Sequence, residues 1–190
     1  MIEGSIQPEA KRLYHVLLRI VADQSETLGA FPEVSDAHAA GNLDAFGALV
    51  DAGLIRHDSE TGLVTAVLPF VSGDPATLVM LDGDEEQQRR AASIPDAFAL
   101  APLLDRSVRI DDACPTCGGL VTVLTNPDRI GSKQPRSAVA TRLSDGNVRL
   151  ACSPEHAQDA LNASGDGEAV MISIESLLIS AHEAYAAVLP

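Results

Sequence analysis

Two short segments, Cys114-Pro115-Thr116-Cys117-Gly118-Gly119 and Cys152-Ser153-Pro154-Glu155-His156, contain all three cysteines of this 190-residue chain. A Cys-x2-Cys turn directs two thiolates toward one point, and the glycines after it let the backbone fold back without steric cost. In the second segment, Ser153 is typical of a helix N-cap, and the proline after it is typical of a first helical residue. Cys152 and His156 should therefore lie at a helix start, on the side that faces the first two thiolates.

This pattern predicts a structural zinc site. Three thiolates and one imidazole are a common tetrahedral ligand set for Zn2+, and the predicted ligands are Cys114, Cys117, Cys152 and His156. A knuckle on a hairpin with two further ligands at a helix start resembles a treble-clef site. Two alternatives remain open, a redox dithiol or disulfide and buried thiols that bind nothing. The β-rich run after the first pair disfavours the dithiol, because a thioredoxin-like motif begins a helix.

Composition limits the classes of function. Hydrophobic residues make up 46% of the chain, which is enough for a core, and the formal net charge is −14. Such an acidic chain argues against a nucleic-acid partner, because phosphate binding needs clustered Lys and Arg. We also expect no membrane partner, since no apolar run approaches about 18 residues and no signal-peptide pattern opens the chain. Few cysteines, arranged for a metal, predict a cytoplasmic location.

Residues 1–72 are predicted to form a winged-helix-like lobe. Apolar side chains from Pro8 onward repeat with helical spacing, and two shorter helices should follow, one ending near residue 40 and one at Gly53. Two strands joined by a polar turn complete the pattern. Arg56 is the only Lys or Arg between residues 25 and 70. We therefore expect this lobe to cover the second domain rather than to bind DNA.

Residues 73–190 are predicted to form a second domain with a small mixed β-sheet, so that the whole chain is an α+β protein. Residues 82–86 indicate an exposed acidic turn, and residues 126–136 indicate a surface loop. Alternating or continuous apolar runs predict strands at 77–81, 108–110, 120–124, 138–143, 147–151 and 170–174, and helical spacing predicts helices at 94–104, 154–163 and 175–188.

Three segments resemble the organomercurial (alkylmercury) lyase family. They are Gly53-Leu54-Ile55, then Gly62-Leu63-Val64-Thr65-Ala66-Val67-Leu68-Pro69-Phe70, and Asp96-Ala97-Phe98-Ala99-Leu100-Ala101-Pro102-Leu103-Leu104-Asp105-Arg106. The first two are similar to the family's wing and its Pro-Phe segment, and the third to its catalytic helix with a terminal arginine. The resemblance extends over about residues 10–188. It implies a winged-helix lobe joined to a mixed β-sheet core.

The family's chemistry, as the resemblance implies it, uses two cysteines to hold mercury and an aspartate to protonate the departing carbon. Asp96 matches the aspartate. Ser93 stands where the first cysteine belongs, and Ser144-Asp145-Gly146 stands where the second belongs. A hydroxyl has negligible affinity for mercury beside a soft thiolate. The sequence therefore argues against ordinary alkylmercury cleavage by this chain.

Two interpretations of Ser93 and Asp96 remain at this point. Ser-x-x-Asp before an apolar helical run is a capping-box pattern, and an acidic group in the first turn suits the helix dipole. The same residues could serve in catalysis, with Asp96 as proton donor in a lyase-type step on a non-mercurial small molecule. The alternative function is a non-catalytic, zinc-stapled protein that binds a small molecule, a metal or a protein partner.

Overall fold

A computed structural model describes residues 6–23, 43–72, 77–84, 88–143, 146–165 and 169–190. These residues form a mixed α+β architecture with five helices. The α+β class predicted from the sequence is therefore confirmed. None of the helices in these ranges is long and apolar enough to cross a membrane. The helices are α1 (Pro8–Asp23), α2 (Leu43–Asp51), α3 (Ile94–Leu104), α4 (Pro154–Ser164) and α5 (Ile174–Ala184).

The described strands pair antiparallel in two sheets. The mixed β-sheet predicted for residues 73–190 is therefore wrong for these strands, because each of them pairs with antiparallel neighbours. The larger sheet has the order β1-β2-β3-β5-β4-β6-β7-β8, and the smaller has the order β10-β9-β11. The strands are β1 (Ile55–His57), β2 (Val64–Val67), β3 (Phe70–Val71), β4 (Thr77–Leu81), β5 (Gln88–Ala91), β6 (Val108–Ala113), β7 (Leu120–Thr125), β8 (Ile130–Gln134), β9 (Val139–Arg142), β10 (Val148–Ala151) and β11 (Val170–Ile172).

The N-terminal elements are α1, α2 and the hairpin of β1 and β2. Helix α1 buries one apolar face, and its Tyr14 hydroxyl donates to the Leu68 carbonyl at 2.6 Å. The sheet continues from this hairpin through β3, because Phe70 pairs with Ala91 of β5. The helix predicted to end near residue 40 lies outside the described residues. The division of the chain after residue 72 stays a prediction.

Helix α3 is the central element of the core. Eight of its eleven residues are buried, which is typical of a helix that packs on all sides. It lies against α5, β6 and α1. Its first turn is capped by Ser93, and it ends at Asp105, whose φ of 55° is left-handed and whose N–H donates to the Ala101 carbonyl. The helix start at Ser93 is therefore held in a fixed position within the core.

The hairpin of β6 and β7 carries the first cysteine segment at its tip. Its strands stay in register up to the pair Ala113 and Leu120. In the smaller sheet, β10 runs into Cys152 and then into α4, which Ser153 caps. The hairpin tip and the start of α4 consequently approach each other from two different sheets.

Candidate functional site

The structure brings the four predicted metal ligands together. Cys114 follows β6, Cys117 lies in the hairpin tip, Cys152 follows β10, and His156 lies in the first turn of α4. One ligand atom from each of these side chains lies within 4.8 Å of the others. The group could therefore hold a metal ion.

Individual distances describe a compact set of donors. The Sγ atoms of Cys117 and Cys152 are 3.7 Å apart, and the Cys114 Sγ is 3.7 Å from Nδ1 of His156. The Cys152 Sγ is closer to the same nitrogen, at 2.9 Å. Burial differs among the donors, since Cys114 is buried and Cys117 is exposed, whereas the other two are half-buried.

The hairpin tip is shaped by its own backbone. The Cys114 N–H donates to the Gly119 carbonyl, and the Gly118 N–H donates to the Cys114 carbonyl, both at 2.8 Å. Gly118 has a φ of 70°, in the left-handed region that favours glycine. A Cβ atom on Gly119 would lie 3.3 Å from the Cys117 Sγ. Glycine therefore suits the backbone at position 118, and an alanine at position 119 would crowd the Cys117 sulfur.

Two side chains outside the ligand set fix the second half of the cluster. The Thr116 hydroxyl donates to the His156 carbonyl at 2.7 Å, and the Ser137 hydroxyl donates to the Cys152 carbonyl at 2.8 Å. The first of these bonds joins the hairpin tip directly to α4. Groups of this kind orient ligands before a metal binds.

The thiols have opposite electrostatic environments. Burial raises the pKa of Cys114, but backbone N–H groups of Cys152, Cys117 and Thr116 and the His156 ring outweigh it and lower the pKa to about 6. Burial raises the pKa of Cys152 to about 11, together with its hydrogen bonds to the other two sulfurs and their charge. One thiolate thus forms readily. A cation would favour ionisation of the neighbouring thiol as well.

Asp96 forms a second cluster at the start of α3. The Ser93 hydroxyl donates to Oδ2 of Asp96 at 2.6 Å and accepts the Asp96 N–H at 3.2 Å. The Tyr185 hydroxyl, from the end of α5, donates to Oδ1 at 2.6 Å. Both carboxylate oxygens therefore have a hydroxyl donor, and Ser93 is a helix cap, as its sequence pattern predicts.

Two tyrosines, Tyr14 and Tyr185, lie near this carboxylate. Burial raises the pKa of both phenols, and the negative charge of Asp96 raises it further. Both tyrosines consequently stay protonated at neutral pH and serve as hydrogen-bond donors, Tyr14 to the Leu68 carbonyl and Tyr185 to Asp96.

A cavity of about 640 Å³ lies between the start of α3 and the strands that lead to the cysteines. Its lining includes Ser93 and Leu78, and also Leu120 and the ion pair of Asp112 with Arg149. Ser93 lines this cavity and also donates to Asp96. A molecule in the cavity would therefore lie one hydrogen-bonded residue away from the carboxylate.

Comparison with known proteins shows a likeness at the level of the fold. No protein-family model and no curated protein sequence matches this chain. Among solved structures, the mercury-bound form of MerB2 superposes with a TM-score of 0.61 at 15% identity, over 96% of this chain and 100% of that chain. The chain has a MerB-like fold. MerB2 is an organomercurial lyase, but an identity of 15% extends the likeness to the fold alone.

Within this MerB-like fold, Ser93 and Asp96 lie together, whereas Ser144 and Asp145 are outside the described residues. Tyr185 is the functional candidate that the sequence pattern does not reveal. Its partner Asp96 is 89 positions away, and a tyrosine on a helix face with apolar neighbours is usually a core residue. The available signal was its rarity, since the chain has only two tyrosines, and both lie beside Asp96.

Proposed function

We propose that this chain is a zinc-stapled protein of MerB-like fold in which one Zn2+ is held by Cys114, Cys117, Cys152 and His156. The observation that carries the proposal is the convergence of three sulfurs and one imidazole nitrogen within 4.8 Å. Four protein ligands leave no open position for water or substrate, so the ion is structural. It would join the hairpin tip to the start of α4.

The donor set fits zinc in chemistry and in size. Tetrahedral bonds of about 2.3 Å to sulfur and about 2.0 Å to nitrogen separate two sulfurs by about 3.8 Å and a sulfur from a nitrogen by about 3.6 Å. The observed sulfur pair at 3.7 Å and the Cys114–His156 pair at 3.7 Å match these separations. The shorter Cys152–His156 distance of 2.9 Å requires a small outward movement on binding.

Metal analysis of the purified protein tests this proposal. We expect about one zinc per chain and loss of zinc in His156→Ala, because three thiolates alone hold the ion less tightly. The matched control is His57→Ala, since His57 is an exposed histidine of β1 and should leave the zinc content unchanged. Protein without bound metal, or with a Cys114–Cys117 disulfide under reducing conditions, would refute the proposal.

The finer architecture belongs to the same proposal. A two-stranded knuckle followed by two ligands at a helix start supports a treble-clef-like zinc site. The succession of α1, α2 and the β1–β2 hairpin supports a winged-helix-like lobe.

Three unpaired thiols in one cluster require a reducing compartment and support the cytoplasm. The net charge of −14 supports a role without nucleic acid.

The cavity supports a second candidate function, a lyase-type reaction on a non-mercurial small molecule with Asp96 as proton donor. Ser93 lines the cavity and Asp96 does not, so the proton would pass through Ser93. A protonated Asp96 would donate to the Ser93 oxygen while the Ser93 hydroxyl gives its own proton to the bound molecule, which leaves Asp96 as a carboxylate held by the Tyr185 hydroxyl. Both neighbours are hydroxyls rather than thiols, so hard, oxygen- or nitrogen-containing substrates suit the site better than mercury compounds. The alternative within this candidate is a binding protein that does not transform its ligand.

Asp96→Asn distinguishes the lyase from the binding protein. Small molecules that shift the backbone resonances of Ser93 and Val148 would first be selected with wild-type protein. If the chain is a lyase, a selected compound is converted by wild-type protein and only bound, with similar affinity, by Asp96→Asn. Binding without conversion by either protein would support the binding function.

A further inference from the structure

We propose that metal occupancy at the cysteine cluster determines the shape of the cavity beside Ser93, so that binding of a small molecule there depends on the metal. This inference rests on the proposed zinc site. It adds that the ion regulates the cavity in addition to holding the fold. The cluster and the cavity are coupled because they are built from the same two segments of chain.

The first shared segment is the β6–β7 hairpin. Asp112 and Ala113 line the cavity and immediately precede Cys114, while Leu120 lines it and directly follows the glycine pair after Cys117. The second shared segment is β10, whose residues Val148 and Arg149 line the cavity. The chain then reaches Cys152. A metal bound to both segments therefore fixes the distance between the hairpin and β10, which both contribute to the cavity lining.

Polar contacts also join these segments. Arg149 donates from Nε to Oδ2 of Asp112 at 3.1 Å and from Nη2 to Oδ1 at 3.2 Å, and the Leu150 N–H donates to the same carboxylate at 3.0 Å. Nη2 of Arg149 also donates to the Ala113 carbonyl at 3.0 Å, and the Thr116 hydroxyl bond to His156 joins the hairpin tip to α4. The Arg149 side chain is 44% exposed, and ion pairs of that exposure contribute little alone. Four coordination bonds to a metal would add a further constraint on the position of β10 relative to the hairpin.

The hairpin also contacts β4, the neighbouring strand of the same sheet. Asp111 of β6 pairs with Leu78 of β4, and both residues line the cavity. Asp111 further accepts the Thr122 hydroxyl of β7 at 2.7 Å. A shift of the hairpin tip on metal loss would thus reach β4. Coupling between two sites is reciprocal, so a molecule in the cavity would also tighten zinc binding.

Hydrogen exchange tests the coupling with zinc as the only added ligand. Comparison of zinc-loaded with chelator-treated wild-type protein, under reducing conditions, should show slower exchange at Thr77–Leu81 and Val148–Ala151 when zinc is present. Helix α1 serves as the internal control and should not change. Protection restricted to Cys114–Gly119 and Cys152–His156 would overturn the proposal. Loss of protection throughout α1 on chelation would overturn it too, because zinc would then hold the whole fold.

A variant in the cavity wall provides the second measurement. Arg149→Met removes the bidentate contact without touching a ligand and should weaken zinc binding by up to about fivefold, the upper range for a partly exposed ion pair. Arg142→Met is the matched control, an exposed arginine of β9 outside the cavity, and should change the zinc Kd less than about twofold. Equal zinc affinity of Arg149→Met and wild type would contradict the coupling. Absence of zinc binding by wild type would instead refute the proposed zinc site itself.

Discussion

At the scale of single residues, the two oxygens of Asp96 explain why an acidic residue can persist in a largely apolar core. Each oxygen accepts a hydroxyl, one from the cap Ser93 and one from Tyr185 of a distant helix. Buried polar groups cost free energy only when they lack partners. These hydrogen bonds therefore stabilise the fold and also orient the Asp96 side chain. Replacement of Asp96 by the isosteric asparagine removes the charge and keeps the shape, whereas alanine removes both.

We predict that Asp96→Asn lowers the free energy of unfolding by no more than about 1 kcal/mol, while Asp96→Ala lowers it by about 2–3 kcal/mol. The asparagine oxygen can still accept from Tyr185, and its amide can donate to the Ser93 oxygen. Alanine leaves both hydroxyls without their acceptor. Denaturant unfolding of the two variants and wild type measures the difference. A loss as large for asparagine as for alanine would show that the negative charge itself stabilises the fold.

Only part of the cluster of Ser93, Asp96 and Tyr185 can be predicted from the sequence. Ser93 and Asp96 are three positions apart before an apolar run, and local spacing is sufficient to predict a capped helix start. Tyr185 contacts Asp96 only because α5 packs against α3. Such a contact depends on tertiary packing, which no local pattern encodes. The metal ligands are easier to predict, since cysteines are rare in this chain and each pair has a recognisable spacing.

At the scale of elements, the glycine pair in the β6–β7 tip shapes the backbone between the cysteines and the following strand. We predict that Gly119→Ala weakens zinc binding by up to about tenfold, because its Cβ would crowd the Cys117 Sγ at 3.3 Å. Gly47→Ala in α2 is the matched control. Its Cβ meets no atom within 4 Å, and alanine is the better helix former, so stability should rise by about 0.5–1 kcal/mol with zinc affinity unchanged.

Competitive titration against a chelator of known affinity measures the zinc Kd of both glycine variants, and thermal unfolding measures their stability. Unchanged zinc affinity in Gly119→Ala would mean that the tip adjusts freely and that its backbone does not pre-organise the ligands. A loss of zinc affinity in Gly47→Ala would mean that the affinity of the metal site depends on the N-terminal elements.

Strands β5 and β8 are among the elements that the sequence analysis does not predict, and each has a physical reason. Strand β8 occupies Ile130–Gln134, inside the segment predicted to be a surface loop, because its backbone pairs with β7 although its side chains are mostly polar and exposed. Strand β5 has a buried arginine. Arg89 donates to the carbonyls of Val21 and Ala22 near the C-terminal end of α1, at 3.1 and 2.7 Å. Terminal helix carbonyls need such donors, and these partners are far apart in sequence.

At the scale of the whole molecule, a MerB-like fold occurs here without the thiols that the resemblance places at the reacting centre. The segments that resemble the organomercurial lyases imply this fold, and the structural likeness at a TM-score of 0.61 agrees with it at only 15% identity. Activity depends on particular atoms in the site, however, and the same fold can carry different chemistries. In this chain the soft ligands have a different location, the cluster of Cys114, Cys117, Cys152 and His156.

We therefore predict that methylmercury added to the zinc-loaded wild-type chain reacts with the cysteine cluster and is not cleaved. Mercury prefers thiolates strongly, so it should displace zinc, which a colorimetric chelator detects as up to about one equivalent per chain. Protonolysis would yield methane, which gas chromatography detects, and none is expected because Ser93 offers a hydroxyl where mercury needs a thiolate. Ser93→Cys is the informative variant and should bind mercury beyond the amount that the cluster takes up. Methane from the unmodified chain would contradict this prediction. It would mean that mercury chemistry can occur at a place in the fold that lacks the soft thiolate ligands.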